Sequence, residues 1–569
     1  MLVIDRIKHR TVRAGERWLG MNQRILGGIL LLIGGSLVAW MVFPGQRDPS
    51  NLESPPGISS ELDSSDDHFD MVAARSQVAG FCGDCHAVPT PDQFPQAAWP
   101  EEIDDGYRFY FDSGRHDLKM PPKQVVLEYY RRLAPREMPV KLASPLEDKP
   151  RVRFLPTHHA YSGIDDLGKG SPPAVANVRW FSKPQDSPLQ TKPALWVCDM
   201  RRGFLVEMLL SQEGVTYGRR ALVPHPAHTT VVDLDQDGKE ELLVADLGSF
   251  LPEDHGKGQV LWLRPNLAGD GFDQVKLLGG VGRVTDIETA DFDQDGDDDL
   301  VVAEFGWRST GQIHVLENLG FTDGIPRFRA RVVDDRHGCI SVTPTDLNQD
   351  GKMDFVALIS QEHECVVGFF NRGDGTFRVQ TIFSADNPSY GTSGLEPTDL
   401  DQDGDIDLIY TNGDMFDRFY VAPYHGIHWL ENMEDGSWKH HLLASMSGVH
   451  RAAVADFDND GDLDLVACAL ISDNMMQKYD ANDFNSLIWL EQVADHKFVR
   501  HALETGACYH ATADVADFDN DGDVDIAVGQ FREISGAVRS DVTIWWNQTL
   551  SSANKSAAAT DRGNKIPRN

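Results

Sequence analysis

Hydrophobic positions between residues 173 and 546 fall into short runs separated by stretches rich in Gly, Asp and Asn. Runs of about four to eight β-branched and aromatic residues predict strands rather than helices. They come in sets of four. The first run of a set leads into an acidic stretch, as in Arg451–Ala455. The second follows it: Leu242–Ala245, Leu300–Ala303, Phe355–Leu358, Leu408–Tyr410, Leu465–Ala467 and Ile526–Val528. The third is aromatic, from Val260–Leu263 through Ile313–Leu316, Val366–Phe370, Ile427–Leu430 and Leu487–Leu490 to Val542–Trp546. The fourth is led by Phe or Trp, as in Trp438–Leu443 and Phe498–Leu503. Four short strands per repeated unit predict the blade of a β-propeller. Pro173–Phe181, Ala194–Asp199, Phe204–Leu210 and Val215–Val223 repeat the rhythm without the acidic stretch and make a seventh unit. The last unit ends at its third strand. Arg151–Leu155, just before the first unit, is the candidate for the missing fourth, and such pairing would leave no open edge. The expectation is a mainly β chain whose residues 151–549 form a seven-bladed propeller with split-strand closure.

Helical spacing occurs only upstream. Residues 68–81 read as one helix. Val125, Val126, Tyr129, Tyr130 and Leu133 mark a second over 123–134, preceded by the helix stops Pro121 and Pro122. Ile25–Phe43 is an uncharged apolar run of nineteen residues by its bounds, long enough for a short transmembrane helix. Arg6, Lys8, Arg10, Arg13, Arg17 and Arg24 precede it, so the positive-inside rule leaves residues 1–24 cytoplasmic and exports the rest. A cleaved signal peptide is the alternative; its apolar core is usually shorter, and no Ala-x-Ala site follows. Pro44–Asp70 is rich in Pro, Ser, Asp and Glu, and residues 44–67 read as a flexible linker. Residues 550–569 read as a disordered tail.

The acidic stretch carries the first chemistry. It reads Asp-Leu-Asp-Gln-Asp-Gly at Asp233–Gly238 and returns five times, the starts 53 to 61 residues apart by subtraction. Oxygen ligands at positions 1, 3 and 5, Gly at 6 and a carboxylate at 9 suit Ca²⁺. The ligand sets are Asp233, Asp235, Asp237 and Glu241; Asp291, Asp293, Asp295 and Asp299; Asp346, Asn348, Asp350 and Asp354; Asp399, Asp401, Asp403 and Asp407; Asp456, Asp458, Asp460 and Asp464; and Asp517, Asp519, Asp521 and Asp525. An EF-hand would need Glu at position 12. That place holds Val244, Val302, Ala357, Tyr410, Ala467 and Val528, so helix–loop–helix is excluded. The pattern resembles the FG-GAP/VCBS repeats of integrin-type β-propellers. The resemblance implies about six Ca²⁺ ions inside the blades and leaves function open, since the fold serves adhesion modules and enzymes alike.

The net charge of −36 argues against a nucleic-acid partner. It also means that unbound loops would crowd like charges, so calcium should stabilise the fold.

Cys82-Gly83-Asp84-Cys85-His86 is a C-x-x-C-H motif. Two thiols at this spacing can form thioethers to one haem, with His86 as iron ligand. A redox dithiol or half a zinc site are the alternatives; no second Cys pair exists for zinc, and no βαβ context for a thioredoxin-like motif. Residues 68–145 resemble a small cytochrome c domain, which implies one covalently attached haem c. A Met beside Pro often supplies the sixth ligand in that family, which points to Met120; His116, Met138 or no ligand are alternatives. The remaining cysteines, Cys198, Cys339, Cys365, Cys468 and Cys508, are odd in number and read mostly as small buried residues.

The segments entering each inner strand lie at the mouth of the propeller channel. They carry His158 and His159; His225 and His228; Arg283; His337 and Cys339; Tyr390; His450 and Arg451; and Cys508, Tyr509 and His510. Such a ring could bind an anionic substrate, a metal or a cofactor, or simply line a wet funnel. Catalytic candidates are accordingly His159, His228, Arg283, His337, Tyr390, His450 and His510.

Together these features describe a single-pass membrane protein, mostly on the periplasmic or extracellular side, acting in electron transfer with a redox partner protein or small-molecule donor. A propeller dehydrogenase feeding the haem, and an adhesion or ligand-binding propeller with a haem sensor, are the rival readings. Whether the chain is an enzyme stays open at this point.

Overall fold

The computed structural model describes residues 69–139, 152–161, 171–182, 192–416, 420–533 and 540–549. The expected basic segment, membrane span, linker and tail lie outside them. No helix among the described residues is long and apolar enough to cross a membrane. The described helices and strands belong to one compact unit, Asp70–Asn569.

Seven four-stranded antiparallel sheets form a seven-bladed propeller. Blade 1 is built from Val175–Phe181, Ala194–Asp199, Phe204–Ser211 and Gly214–Leu222; blades 2 to 6 repeat the order through residue 505. First strands touch their counterparts in neighbouring blades, so they are innermost and surround the channel. Second strands such as Asp299–Glu304, Asp354–Ile359 and Asp464–Ala469 are buried at every position. Their Leu-Val-Val-Ala-type runs are sandwiched between adjacent blades and have no polar face to show. Fourth strands hold half-buried and exposed residues in rough alternation, as an outer edge does. Trp196, Trp262, Trp429 and Trp489 are fully buried between blades.

Closure differs from the expected register by a few residues. The fourth strand of blade 7 is Phe154–His159, not Arg151–Leu155. It pairs antiparallel with Val542–Asn547, from Phe154 opposite Asn547 to His159 opposite Val542. Phe154 decides the register: it sits edge-on to Phe457 and Trp489 of blade 6, at 5.9 and 6.4 Å. Blade 1 lacks the acidic loop and meets blade 7 through buried charge instead. Arg202 pairs with Asp541 at 3.0 Å, and Tyr161 donates to Asp199 at 3.1 Å.

Among the described residues, three α-helices precede the propeller: α1 (Met71–Cys82), α2 (Trp99–Asp112) and α3 (Lys123–Leu133). Asp70 caps α1 by accepting from the amides of Val72 and Ala73. The sequence reading lacked α2, whose apolar positions Trp99, Ile103, Tyr107 and Tyr110 are buried. Trp99 stacks on Tyr130 of α3 at 3.7 Å. The module touches the propeller on the face that carries the turns between second and third strands. Arg308 of blade 3 lies 3.8 Å from the Phe109 ring centroid, and Tyr420 of blade 5 packs edge-on against Phe94 at 6.2 Å.

Phe154→Ala should destabilise the propeller by about 3–5 kcal/mol, the usual range for a buried Phe. Equilibrium denaturation checks this. A loss under about 1 kcal/mol would mean that the N-terminal strand does not close the ring.

Candidate functional site

The six acidic loops share one geometry. The carboxylate at position 1 accepts from the amide of the position-6 Gly at 2.9–3.1 Å, turning the chain back on itself. Position 4 is left-handed without being Gly: Gln236, Gln294, Gln349, Gln402, Asn459 and Asn520 have φ of 54–62°. The conformation directs the carboxylates inward. One ligand atom each from Asp233, Asp235, Asp237 and Glu241 lies within 4.8 Å of the others, and the same holds for Asp291, Asp293 and Asp295. The buried oxygens Asp233 Oδ1, Asp293 Oδ1, Asp399 Oδ1, Asp458 Oδ1 and Asp519 Oδ1 have no hydrogen-bond donor. A buried carboxylate oxygen without a donor is costly. A hard cation at about 2.3–2.6 Å would satisfy it, so the residues fit Ca²⁺.

The position-9 carboxylates do a second job. Asp464 Oδ1 accepts from Gln492 N at 2.7 Å, while Oδ2 accepts from Phe457 N at 3.3 Å and Trp489 Nε1 at 3.0 Å. Asp299, Asp354, Asp407 and Asp525 likewise bind the amide of position 2 and an amide at the end of the third strand. Glu241 binds Leu234 N and Trp262 Nε1. Burial pushes these groups up, to about 6 for Asp354, about 7 for Asp464 and about 8 for Asp525, and neighbouring carboxylates add to it. They bracket the blade from within as well as facing the loop.

The loops are also joined to one another. Gln236 Nε2 donates to Gly296 O, Gln294 to Gly351 O, Gln349 to Gly404 O and Gln402 to Gly461 O, at 2.6–3.3 Å. Asn459 Nδ2 reaches Asp523 Oδ1 at 3.3 Å. Five side chains thus link six loops in series.

On the opposite face the candidate funnel residues scatter. His158 and His159 lie in the outermost strand of blade 7 and bond Thr543 and Thr157, so they do not enter the channel mouth as expected. His225 is held by Met200 O at 2.8 Å. Half-buried Arg283 lies over Phe305. His337 stands 3.0 Å from Glu362. Tyr390 stacks on Tyr424 and lies 3.3 Å from His428. His510 is fully buried against Glu504 at 2.6 Å. Burial pushes the His450 imidazole down to about 4, so it stays neutral at pH 7. Cys339 and Cys508 are buried, as are Cys198, Cys365 and Cys468. Arg451 pairs with Glu396 at 2.9 Å.

His228 and Arg451 belong to an inner-strand cluster that the sequence reading did not see. The inner strands carry Arg179, His228, Asp286, Glu288, Glu396, Arg451 and Asp514. His228 lies 2.8 Å from Asp286 and 3.8 Å from Glu288, and Arg179 is 3.9 Å from Glu288. Burial opposes the charge on His228, but Asp286 and Glu288 outweigh it and raise its pKa. The signal was present as charged residues inside otherwise strand-like runs, masked because the connectors looked richer in histidine.

In the helical module, Cys82 is half-buried at the end of α1 and Cys85 is exposed. Gly83 is required there: a Cβ would sit 2.5 Å from Val88 Cγ2. His86 Nδ1 meets Ala87 O at 2.7 Å. That contact makes Nδ1 the donor and leaves the Nε2 lone pair free. The chain is held on either side of Met120, with Tyr107 donating to Pro121 O at 2.6 Å and Leu118 N donating to the Tyr110 hydroxyl at 2.9 Å. His116 is exposed; Met120 and Met138 are half-buried. Gln93 and the Tyr130 hydroxyl are buried here without hydrogen-bond partners.

A family model described as an FG-GAP-like repeat matches residues 233–302, 291–357, 346–410 and 411–467. The chain is therefore a seven-bladed β-propeller carrying FG-GAP-like repeats. No curated protein matches it.

Two outcomes test the loops. Asp464→Asn leaves at least one of three buried donors unmatched and should cost about 3 kcal/mol, read by chemical denaturation; a neutral result would remove the bracket. Excess chelator should lower the melting temperature, and calcium should restore it. An unchanged melt would sink the calcium assignment.

Proposed function

We propose that the chain is a haem-bearing electron-transfer protein, exported and tethered to a membrane by Ile25–Phe43, whose calcium-stiffened propeller is the platform for the haem module and its redox partner. The observation that carries this reading is the imidazole of His86. Its Nδ1 is committed to a backbone carbonyl beside the thiols of half-buried Cys82 and exposed Cys85, which is the arrangement a proximal histidine needs. Cys82 and Cys85 would hold the haem by thioethers, and Met120 would supply the second axial ligand. Gln93 and the Tyr130 hydroxyl are spare polar groups for the macrocycle's edge. When bound, the haem supplies one-electron chemistry; Met/His ligation raises its potential. The protein's own part is to fix His86 and to hold the chain on either side of Met120. It also seats α2 against Arg308 and the 91–95 turn against Tyr420.

A second reading is supported by the ionisable groups on the inner strands. Arg179, His228 and Arg451 beside four carboxylates could bind a small polar substrate in the channel, whose oxidation would deliver electrons to the haem.

The test is covalent haem on denatured protein from cells able to mature c-type cytochromes. It should be present in the native chain and absent from the double variant Cys82→Ala/Cys85→Ala. Met120→Ala should keep the haem and lower its potential, with a changed axial-ligand spectrum. Haem-free native chain would overturn the proposal, and an unaltered spectrum would move the sixth ligand away from Met120.

A further inference from the structure

Blade 4 carries a cluster of ligand-type side chains on the face away from the acidic loops. His337 stands in the connector that enters the inner strand Cys339–Thr345, and Glu362 and His363 stand in the turn between Asp354–Ile359 and Cys365–Asn371. One ligand atom from each lies within 4.8 Å of the other two. That is close to the ~4.2 Å limit set by a shared ion with ~2.1 Å bonds to nitrogen and oxygen. His337 Nε2 comes within 3.0 Å of Glu362 Oε2, yet this buried nitrogen lacks hydrogen-bond alignment with any acceptor. The His337 and His363 rings meet at 5.1 Å and 64°.

The backbone around the cluster is constrained toward this arrangement. Gln361 and Glu364 flank the pair at φ 54° and 41°, an unusual conformation for two non-glycine residues in one turn. Glu364 is tied to the amide and hydroxyl of Thr392, both at 2.9 Å, which anchors the turn to blade 5. At Gly311 a Cβ would fall 2.5 Å from His337 Cβ, and at Gly338 it would fall 2.8 Å from Ser360 O. Both glycines leave room for the His337 side chain and its turn.

Two other histidine–glutamate pairs repeat one packing arrangement. His441 meets Glu431 over Trp429, and His501 meets Glu491 over Trp489, at matching places in blades 5 and 6. The blade 4 cluster is not that repeated device: it joins a connector to a turn, with no tryptophan beneath it.

We propose that His337, Glu362 and His363 bind one divalent first-row transition-metal ion. Imidazoles suit such ions and do not suit Ca²⁺, so the site is chemically separate from the loops. Three protein ligands leave coordination positions open, as in sites where a metal meets a small molecule. The site lies on the blade between the two that touch the helical module, blade 3 through Arg308 and blade 5 through Tyr420.

The experiment is equilibrium dialysis of the full chain against Co²⁺ in excess Ca²⁺, with cobalt counted per chain. The native chain should hold one more Co²⁺ than His363→Ala or Glu362→Gln, with at least tenfold weaker retention in either variant and unchanged calcium content. His501→Ala, as control, should bind like the native chain. Equal cobalt in the native chain and both blade 4 variants would overturn the proposal, as would a loss produced by His501→Ala instead. The two blade 4 variants leave His337 packed in place, so a failure of His337→Ala to fold would not remove the test.

Discussion

A buried carboxylate at the ninth place of each loop holds the propeller together. It receives the loop's second amide and, in five of the six loops, an amide at the end of the third strand; Glu241 instead receives the Trp262 indole N–H. The residue at that strand end then acts across the blade boundary. Asn371 Nδ2 donates to Phe292 O, Asn432 to Leu347 O and Asn547 to Phe457 O, each acceptor lying in another blade's loop. Phe292, Leu347 and Phe457 are themselves buried in the interblade cores. In these three blades one acid therefore couples loop, strand and neighbour, and its desolvation is tolerable only because its hydrogen bonds are made.

The same loops set the electrostatics. The chain carries 88 acidic against 52 basic side chains, and the loops concentrate the excess on one face. Lys239 and Lys352 offset single carboxylates in loops 1 and 3. The donorless oxygens of five loops call for cations rather than for more lysines. Because Gln236, Gln294, Gln349 and Gln402 each grip the next loop's Gly carbonyl, ordering one loop favours its successor. A cation bound in one loop would thereby be coupled to the alignment of the blades.

The blade count, the strand rhythm and the positions of the acidic loops were legible because each rests on local pattern repeated in register. The alternation of fourth strands and the all-apolar second strands follow directly from burial. The closing strand was found but misplaced by three residues at its start, since its register depends on Phe154 reaching blade 6, a contact no local pattern encodes. Helix α2 was missed: its Trp99-Pro100 start and acidic first turn resemble a loop, while its buried face becomes apolar only against Tyr130 and Phe81. The channel charges and the blade 4 cluster stayed hidden for the same reason. His228 and Asp286 are far apart in sequence, and so are His337 and His363; only the closed ring brings them within reach.

Diffraction at the iron absorption edge tests most directly the proposal that His86 holds a haem beside the propeller. Crystals of the mature, haem-loaded chain should show one strong anomalous iron peak about 2 Å from His86 Nε2, beside Cys82 and Cys85. An iron peak absent from that place, in protein that retains the seven blades, would contradict the account and leave C-x-x-C-H as a dithiol motif on the helical module.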